Sequence, residues 1–286
     1  MINKLTLNSA DYPSLLKEIS SVPKQLYHTG APLADLMKRP RVAIVGTRGV
    51  TSYGRQVTIE LAKRLAEQGI VIISGLALGV DALAHKAALE VGGLTIAVLP
   101  SPIERIAPST NRKLAQSIVD NGGALVSEYA YDAETFRQNF IARNRIVSGL
   151  SDGVLVIEAS ERSGTQSTVN FAKDQNKLVM AVPGNITSPQ SVGTNNLLKD
   201  NVTPITNYKD VLYALDLTGH VTPAVAVKGR NAYEQRVLDL MLDGMTDGEL
   251  LMIKSKLTVI EFNQVLTMLE ISSKIRPLGA NHWAIY

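Results

Sequence analysis

The stretch of sequence that decides the fold is Val42-Ala43-Ile44-Val45-Gly46-Thr47-Arg48-Gly49. A short apolar, β-branched run that ends in a glycine turn, followed by a helical pattern from Ser52, is typical of a buried parallel strand whose carboxyl end meets a ligand. Backbone N–H groups of the turn, free N–H groups at the start of the next helix and the Arg48 guanidinium all favour an anion. We therefore expect a phosphate site here, for a nucleotide or a nucleic-acid backbone.

The glycine spacing identifies the ligand only by class. Gly46-x-x-Gly49 lacks the first glycine of the dinucleotide fingerprint G-x-G-x-x-G, and no stretch reads G-x-x-x-x-G-K-[ST]. A nicotinamide-dependent oxidoreductase is therefore a weakly supported alternative.

Further units of strand, turn and helix follow along the chain. Apolar runs predict strands at 70–74, 95–99, 124–127, 154–158 and 178–182, and helical patterns lie at 52–68, 111–121, 136–150, 166–175 and 195–199. Repeated units of this length predict an α/β fold with a doubly wound, mainly parallel sheet that binds ligands at the carboxyl ends of its strands.

Composition divides the chain into four regions. Residues 1–40 are interpreted as an N-terminal lead-in, 41–216 as the ligand-binding domain and 217–230 as a linker punctuated by Gly219, Pro223 and Gly229. Residues 231–286 contain three helical patterns and two strand-like segments in the order of a winged helix-turn-helix. The would-be recognition helix at 259–270 contains no Lys or Arg, which argues against sequence-specific reading of duplex DNA.

Charge and composition bound the class of protein. The 286 residues carry a net charge of +3, with −2 in residues 231–286 and +5 in the remainder, so a polyanion is expected on the larger N-terminal part. There is no cysteine, which excludes disulfides and thiolate chemistry. The longest apolar runs have the length of strands, and the N-terminus has no secretory pattern, so we expect a cytoplasmic protein with no membrane partner.

Arginines cluster in the run Phe136-Arg137-Gln138-Asn139-Phe140-Ile141-Ala142-Arg143-Asn144-Arg145. Guanidinium groups hold phosphates and aromatic rings stack on bases, so arginines interleaved with Phe140 suit single-stranded nucleic acid. The alternative is a solvated helix face whose phenylalanines lie in the core. The pattern alone favours neither interpretation.

A second candidate anion-binding turn is Ser163-Gly164-Thr165-Gln166-Ser167-Thr168, which follows a predicted strand and opens a helix. Ser and Thr at a helix start are also ordinary caps. The position favours binding, because two such turns on neighbouring strand ends of a doubly wound sheet converge on one crevice.

Candidate catalytic groups are few. Asp81 and His85 would share a helix face as an acid–base pair, but a helix cap beside a packed histidine is the simpler interpretation. Glu128 and Glu158 lie near strand ends, where a glutamate serves as a base or binds an arginine or a helix N-terminus. The four histidines lack metal-ligand spacing, so neither a metal nor another cofactor is expected.

These motifs together resemble the DNA-processing protein A family (DprA, also called Smf). The matching segments are 42–48, 74–81 with 84–85, 126–129, 143–151, 158–159, 163–165, 181–184 and 191–195. The resemblance runs from about Tyr12 to Tyr208, and several ordered motifs over that length make chance agreement improbable. Pro100-Ser101-Pro102 departs from the usual glycine-rich turn, so that rim of the pocket is expected to differ in shape.

The resemblance implies an extended Rossmann-like domain that binds single-stranded DNA without strong sequence preference. It also implies a protein that protects incoming strands in natural transformation, helps to load the RecA recombinase and forms homodimers. By matching positions, the DNA-binding residues would be Gly46, Thr47, Arg48, Phe140, Arg143, Asn144, Arg145, Ser163, Gly164, Thr165 and Lys199, with Arg112 and Lys113 on a weaker match.

Our leading hypothesis is therefore a non-enzymatic recombination mediator. The enzyme alternative is a nucleoside-monophosphate phosphoribohydrolase of the lysine-decarboxylase-like Rossmann group. Members of that group carry P-G-G-x-G-T-x-x-E, whose glutamate assists cleavage, and the comparable stretch at 163–168 has no glutamate.

Overall fold

The computed structural model describes residues 2–218, 229–242, 245–272, 274–279 and 281–285. The chain divides into two compact units, Met1–Ala224 and Val225–Tyr286. Most of the predicted linker, residues 219–228, lies outside the described residues, so its bounds stay a prediction.

The first unit is built on a nine-stranded sheet. Its strands are β1 (Asn3–Thr6), β2 (Gln25–Gly30), β3 (Arg41–Val45), β4 (Val71–Ser74), β5 (Thr95–Leu99), β6 (Ala124–Ser127), β7 (Gly153–Val156), β8 (Leu178–Ala181) and β9 (Thr203–Pro204). The spatial order is β1-β2-β6-β5-β4-β3-β7-β8-β9, in which β3 to β9 pair in parallel and β1 and β2 are antiparallel. The predicted α/β class and mainly parallel sheet are confirmed, and the lead-in supplies an antiparallel edge to the same sheet.

The order of the strands reverses next to β3. The chain passes from β3 outward to β6 and then returns to place β7 on the other side of β3. Connections on either side of such a point leave the sheet on opposite faces, which opens a crevice beyond the carboxyl ends of the two central strands. The crevice expected from the sequence therefore lies beyond β3 and β7.

Helices cover both faces of the sheet. They are α1 (Leu33–Leu36), α2 (Ser52–Glu67), α3 (Val80–Glu90), α4 (Arg112–Asp120), α5 (Arg137–Gly149), α6 (Thr165–Asp174), α7 (Val192–Lys199) and α8 (Tyr208–Ala214). Successive residues of β3 alternate between two cores: Ile44 packs with Leu65 of α2, and Val45 with Val147 of α5. A strand buried on both faces has to be apolar at every position, which explains the run that begins at Val42.

The second unit has its own core. Its elements are α9 (Ala232–Leu242), α10 (Gly248–Ser255), α11 (Val259–Ile271), β10 (Ile275–Gly279) and β11 (His282–Ile285), the last two paired antiparallel. Leu251 of α10, Phe262 of α11 and Ile275 of β10 belong to this core. Three helices and a hairpin follow in the predicted order, while the winged-helix assignment stays a prediction.

Across the described part of both units, every helix is too short or too polar to cross a lipid bilayer.

Candidate nucleic-acid interface

A cavity of about 800 Å³ lies in the first unit, at the carboxyl edge of the sheet. Four segments line it: the turn after β3, the turn after β4, the start of α5 with the loop before it, and the start of α6. The lining residues include Gly46, Thr47, Arg48, Gly49, Gly75, Asp81, Phe136, Arg137, Phe140, Ile141, Arg143, Asn144, Ser163, Gly164 and Thr165. The structure thus brings together the two predicted anion-binding turns and part of the arginine run.

The turn after β3 is held rigidly and presents one charged side chain. The Thr47 N–H donates to the Glu158 carbonyl oxygen at 2.8 Å, and the Val80 N–H donates to the Thr47 carbonyl oxygen at 3.2 Å. Arg48 is exposed, and a Cβ added to Gly49 would meet no atom within 4 Å. A ligand can therefore approach the backbone closely at Gly49.

The N-terminus of α2 differs from our expectation, because the N–H groups of Thr51 and Gly54 are already hydrogen-bonded within the protein. The Thr51 hydroxyl accepts from the Gly54 N–H at 3.1 Å. The buried Glu158 carboxylate accepts from both the N–H of Thr51 at 3.0 Å and its hydroxyl. A carboxylate of the protein already lies at the positive end of this helix, so the expectation that this terminus is free for an external anion is wrong, while the site at Gly46, Thr47 and Arg48 stays a prediction.

The N-terminus of α6 is open by comparison. The Thr165 N–H donates to the Ser163 hydroxyl oxygen at 3.2 Å, and the two side-chain hydroxyls lie 3.0 Å apart. A Cβ on Gly164 would meet no atom within 4 Å. No carboxylate of the described residues hydrogen-bonds to this turn, so an external anion can use its dipole and hydroxyls.

Helix α5 contributes aromatic and cationic groups to the cavity. The Arg48 guanidinium lies 5.5 Å from the centre of the Phe140 ring, which is a cation–π distance. Phe136, Arg137 and Ile141 are exposed on the lining. Arg137 belongs to the arginine run but was not among the predicted site residues, and its place in that run was the signal available for finding it.

Arg143 lines the cavity from beneath. Its side chain is 4% exposed and donates to the carbonyl oxygens of Gly75 and Val98, and its Nε donates to the Asn144 side-chain oxygen at 3.1 Å. Burial lowers the pKa of Arg143 to about 10, and the nearby Asp81 carboxylate opposes that shift. Most of the donors of this guanidinium are already used within the protein.

Asn144 connects α5 to the open turn at α6. Its side-chain NH₂ donates to the Ser167 hydroxyl at 2.8 Å, and that hydroxyl donates to the Gly164 carbonyl oxygen at 2.8 Å. A continuous set of hydrogen bonds therefore runs from Arg143 to the glycine of the second turn. This arrangement fixes the relative position of two walls of the cavity.

Arg145 lies away from the cavity. Its guanidinium donates to both carboxylate oxygens of Glu128, at 2.7 and 2.8 Å, and to the Ser21 carbonyl oxygen at 2.9 Å. Bidentate pairing of this kind leaves little of the group for another anion. The structure thus separates Arg145 from Arg143 and Asn144, although the three residues are adjacent in sequence.

The remaining predicted basic residues do not line the cavity. Arg112 and Lys113 are exposed at the start of α4, on the same edge of the sheet, and the neighbouring Asn111 donates to the Leu76 carbonyl oxygen at 2.8 Å. Lys199 is the last residue of α7, which leads into β9, so it lies toward the opposite edge.

The candidate acid–base groups are all engaged in structural contacts. The buried Asp81 carboxylate accepts from the N–H groups of Gly75 at 3.1 Å and Ala77 at 3.4 Å, and burial raises the pKa of Asp81 while Arg143 opposes that shift. His85 is fully buried against the Thr95 hydroxyl at 2.6 Å, and burial lowers the pKa of His85 to about 3. The packed His85 agrees with the simpler interpretation, but the expected helix cap by Asp81 is wrong: the N-cap of α3 is Gly79, and the Asp81 carboxylate accepts from N–H groups of the turn before the helix.

Comparison with known proteins extends these observations. The family model described as DNA recombination-mediator protein A matches residues 3–216, which lie within the first unit. Protein Smf of Escherichia coli is 40% identical over 216 residues, or 76% of this chain and 57% of the relative. The DNA processing protein DprA of Bacillus subtilis is 36% identical over 75% of this chain and 71% of the relative. The match thus spans little more than half of the first of these relatives.

Solved structures give the same result. DprA from Streptococcus pneumoniae superposes with a TM-score of 0.69 at 35% identity, covering 74% of each chain. DprA from Helicobacter pylori superposes with a TM-score of 0.66 at 37% identity, covering 74% of this chain and 95% of the other, and that study concerns its single-stranded DNA binding mode. With the match over residues 3–216, these similarities show that the chain belongs to the DNA recombination-mediator protein A family.

Proposed function

We propose that this protein binds single-stranded DNA in the cavity at the carboxyl edge of its sheet and acts as a recombination mediator. The observation that carries the proposal is the convergence of Arg48, the Phe140 ring and the open turn at Ser163 on one cavity. The H. pylori relative, which is described as a single-stranded DNA-binding protein, supports the choice of ligand.

The cavity supplies the two kinds of contact that a single strand needs. Arg48, Arg137 and the turn at Gly164 offer donors to phosphate oxygens. Phe136 and Phe140 offer faces on which bases of any sequence can stack. A duplex keeps its bases paired and stacked inside, so such a site favours single strands.

Family membership and the resemblance to DprA proteins support a wider role. We propose that the protein protects incoming strands during natural transformation, helps to load RecA and works as a homodimer in the cytoplasm. Loading can be measured as RecA filament assembly on strands precoated with a single-strand binding protein. If this chain does not accelerate that assembly, the mediator role is wrong even if the cavity binds DNA.

We propose no catalytic step for the cavity. Asp81 is its buried carboxylate and faces Arg143, while Glu158 is held at the start of α2. The stretch 163–168, where the phosphoribohydrolase alternative would need its assisting glutamate, contains none. Release of free base from a nucleoside monophosphate, followed by chromatography, would revive that alternative.

The principal test is the substitution Arg48→Ala. We expect about tenfold weaker binding of a fluorescent thymidine strand, because a charge-assisted contact contributes about 1.4 kcal/mol or more. The matched control is Arg64→Ala, which removes an arginine of α2 that is paired with Glu60 and Glu67. Equal affinity of wild type and Arg48→Ala, with both proteins folded by circular dichroism, would refute the assigned cavity.

We propose that the second unit contacts protein rather than duplex DNA. Its α11 exposes Ile260, Met268 and Ile271 and contains no lysine or arginine. A chain that ends after residue 216 should bind single strands within about twofold of the full chain, since the cavity belongs to the first unit. A loss of tenfold or more would show that the second unit takes part in binding.

A further inference from the structure

We propose that Arg105 and Tyr131 form a second base-stacking site, outside the cavity, for the same single strand. The Arg105 guanidinium lies 5.5 Å from the centre of the Tyr131 ring, and the tyrosine is 65% exposed. This inference rests on the proposed function, because it extends the path of the strand beyond Arg48 and Phe140.

The backbone that carries both side chains is closed into turns, and the two side chains already contact each other. Tyr131 lies at the tip of a turn closed by a hydrogen bond from the Ala133 N–H to the Ala130 carbonyl oxygen at 3.0 Å. Arg105 ends a turn whose N–H donates to the Pro102 carbonyl oxygen at 2.9 Å. A side chain that is already ordered loses little entropy when it binds a ligand.

The loops that present the pair are anchored to the core and to each other. Ile103 and Ile106, on either side of Arg105, are buried in the core beneath α4. The buried Ser127 hydroxyl, at the end of β6, donates to the Ser101 carbonyl oxygen at 2.7 Å. The segment Pro100-Ser101-Pro102, whose sequence predicted a differently shaped rim, therefore forms the base of this site.

The pair lies near the cavity along the chain. Tyr131 precedes Thr135, a lining residue of the cavity, by four positions, so their Cα atoms lie within about 14 Å of each other. That distance is about four steps of a stacked strand at roughly 3.4 Å per nucleotide. A strand of moderate length can therefore reach both sites, while a very short one can reach only the cavity.

The charges around the pair indicate that it receives bases and not phosphates. Glu104, Asp132 and Glu134 are exposed on the same two loops, so the local potential does not favour a polyanion. The Tyr131 face and the Arg105 plane remain suited to a neutral base ring. The contribution of this site to affinity should consequently depend little on salt.

The test is a length series of thymidine strands from about three to about twelve nucleotides, measured by fluorescence anisotropy. We expect Tyr131→Ala to bind the long strands about tenfold more weakly, the usual cost of removing one stacked base, and the shortest strands normally. Tyr131→Phe keeps the ring and should restore wild-type affinity at every length. Tyr213→Ala, which removes another exposed tyrosine, should have no effect.

The outcomes separate this inference from the proposed function. If wild type fails to bind any strand, the proposed function is wrong. If Arg48→Ala weakens binding while Tyr131→Ala matches wild type at every length, the second site is wrong and the cavity stands. Equal weakening of short and long strands by Tyr131→Ala, or a loss that Tyr131→Phe does not restore, would also overturn it.

Discussion

The N-termini of α2 and α6 occupy similar places in the fold but differ in the side chain that accepts from their first N–H groups. Each helix follows one of the two central strands, β3 or β7, and each opens after a glycine-containing turn. At α2 the Glu158 carboxylate takes the Thr51 N–H at 3.0 Å. At α6 the Ser163 hydroxyl takes the Thr165 N–H at 3.2 Å, and the space beside Gly164 is empty.

The difference shows how one structural element serves either stability or binding. A helix N-terminus attracts one negative group, and at α2 that group belongs to the protein. Glu158 lies in the segment that connects β7 to α6. Its carboxylate accepts from the Thr51 N–H at the start of α2, and the N-terminus of α6 is left without a carboxylate among the described residues. The turn after β3 then contributes to the cavity through the Arg48 side chain and not through a helix dipole.

Glu158→Ala should give the largest effect, on stability. The substitution removes a buried acceptor of two hydrogen bonds and leaves a space at the start of α2, so we expect a loss of about 3 kcal/mol in the free energy of unfolding. Urea denaturation followed by circular dichroism measures it. Ser163→Ala, at the open terminus, is the control and should cost less than about 1 kcal/mol. Similar losses at the two positions would remove the distinction between the termini.

Acid should destabilise the protein through His85, a buried residue of α3. Its Nδ1 meets the Thr95 hydroxyl, which itself donates to the Ile72 carbonyl oxygen, and its Nε2 has no hydrogen-bond partner among the described residues. A proton on Nε2 would thus be buried without an acceptor. Burial accordingly lowers the pKa of His85 from 6.5 in the unfolded chain to about 3.

The unfolded chain therefore binds more protons than the native one between these two pKa values, and stability falls as the pH falls. From about pH 6.5 to about pH 5 we expect a loss of about 2 kcal/mol from this group. His85→Leu cannot titrate and should show a flatter dependence of the urea midpoint on pH. Parallel curves for the two proteins would assign the acid sensitivity to other groups.

The glycines at the two termini should respond with opposite signs. A Cβ on Gly54 would overlap the carboxyl group of Glu158, which is buried and cannot move without losing its hydrogen bonds. Gly54→Ala should therefore destabilise the protein by about 1 kcal/mol or more. Gly164 has helical backbone angles and open space, so Gly164→Ala should be neutral or stabilise it by up to about 1 kcal/mol. In thermal melts, the midpoint should fall for Gly54→Ala and stay the same or rise for Gly164→Ala.

The fold was predictable because its signals are local. The strands at 95–99 and 124–127 have the predicted bounds, because every residue of each run is buried and the runs are mainly apolar, so composition alone marks them clearly. The two antiparallel strands β1 and β2 were harder to predict. Residues of β1 and β2 are only partly buried, and they depend on pairs such as Leu5 with Leu26, which sequence periodicity does not reveal.

The segments that line the cavity were predictable from the sequence, but the side-chain donors that stay free for a ligand were not. Arg143 and Arg145 look equivalent in sequence, two positions apart on α5. Arg143 lines the cavity, whereas Arg145 lies away from it. The difference depends on partners that are distant in sequence, Val98 for Arg143 and Glu128 for Arg145. Likewise, no residue next to Glu158 in the sequence indicates that its carboxylate accepts hydrogen bonds from Thr51. Long-range contacts of this kind decide which donors remain for a ligand.

The smallest expected effect distinguishes how the two turns would hold DNA under the proposed function. Arg48→Ala removes a charge and should reduce the slope of log affinity against log salt by about 0.7, the value for one phosphate contact on a single strand. Ser163→Ala removes only a hydroxyl, so affinity should fall about two- to fivefold with the slope unchanged. Ser163→Thr keeps the hydroxyl and should bind like wild type. If Ser163→Ala lowered the slope as Arg48→Ala does, removal of a neutral group would have reduced the number of counterions released on binding, and the open terminus of α6 would be acting on DNA through the position of Arg48. If the slope stays constant while affinity falls, α6 holds a phosphate through its own dipole and hydroxyl, independently of the arginine that the β3 turn presents.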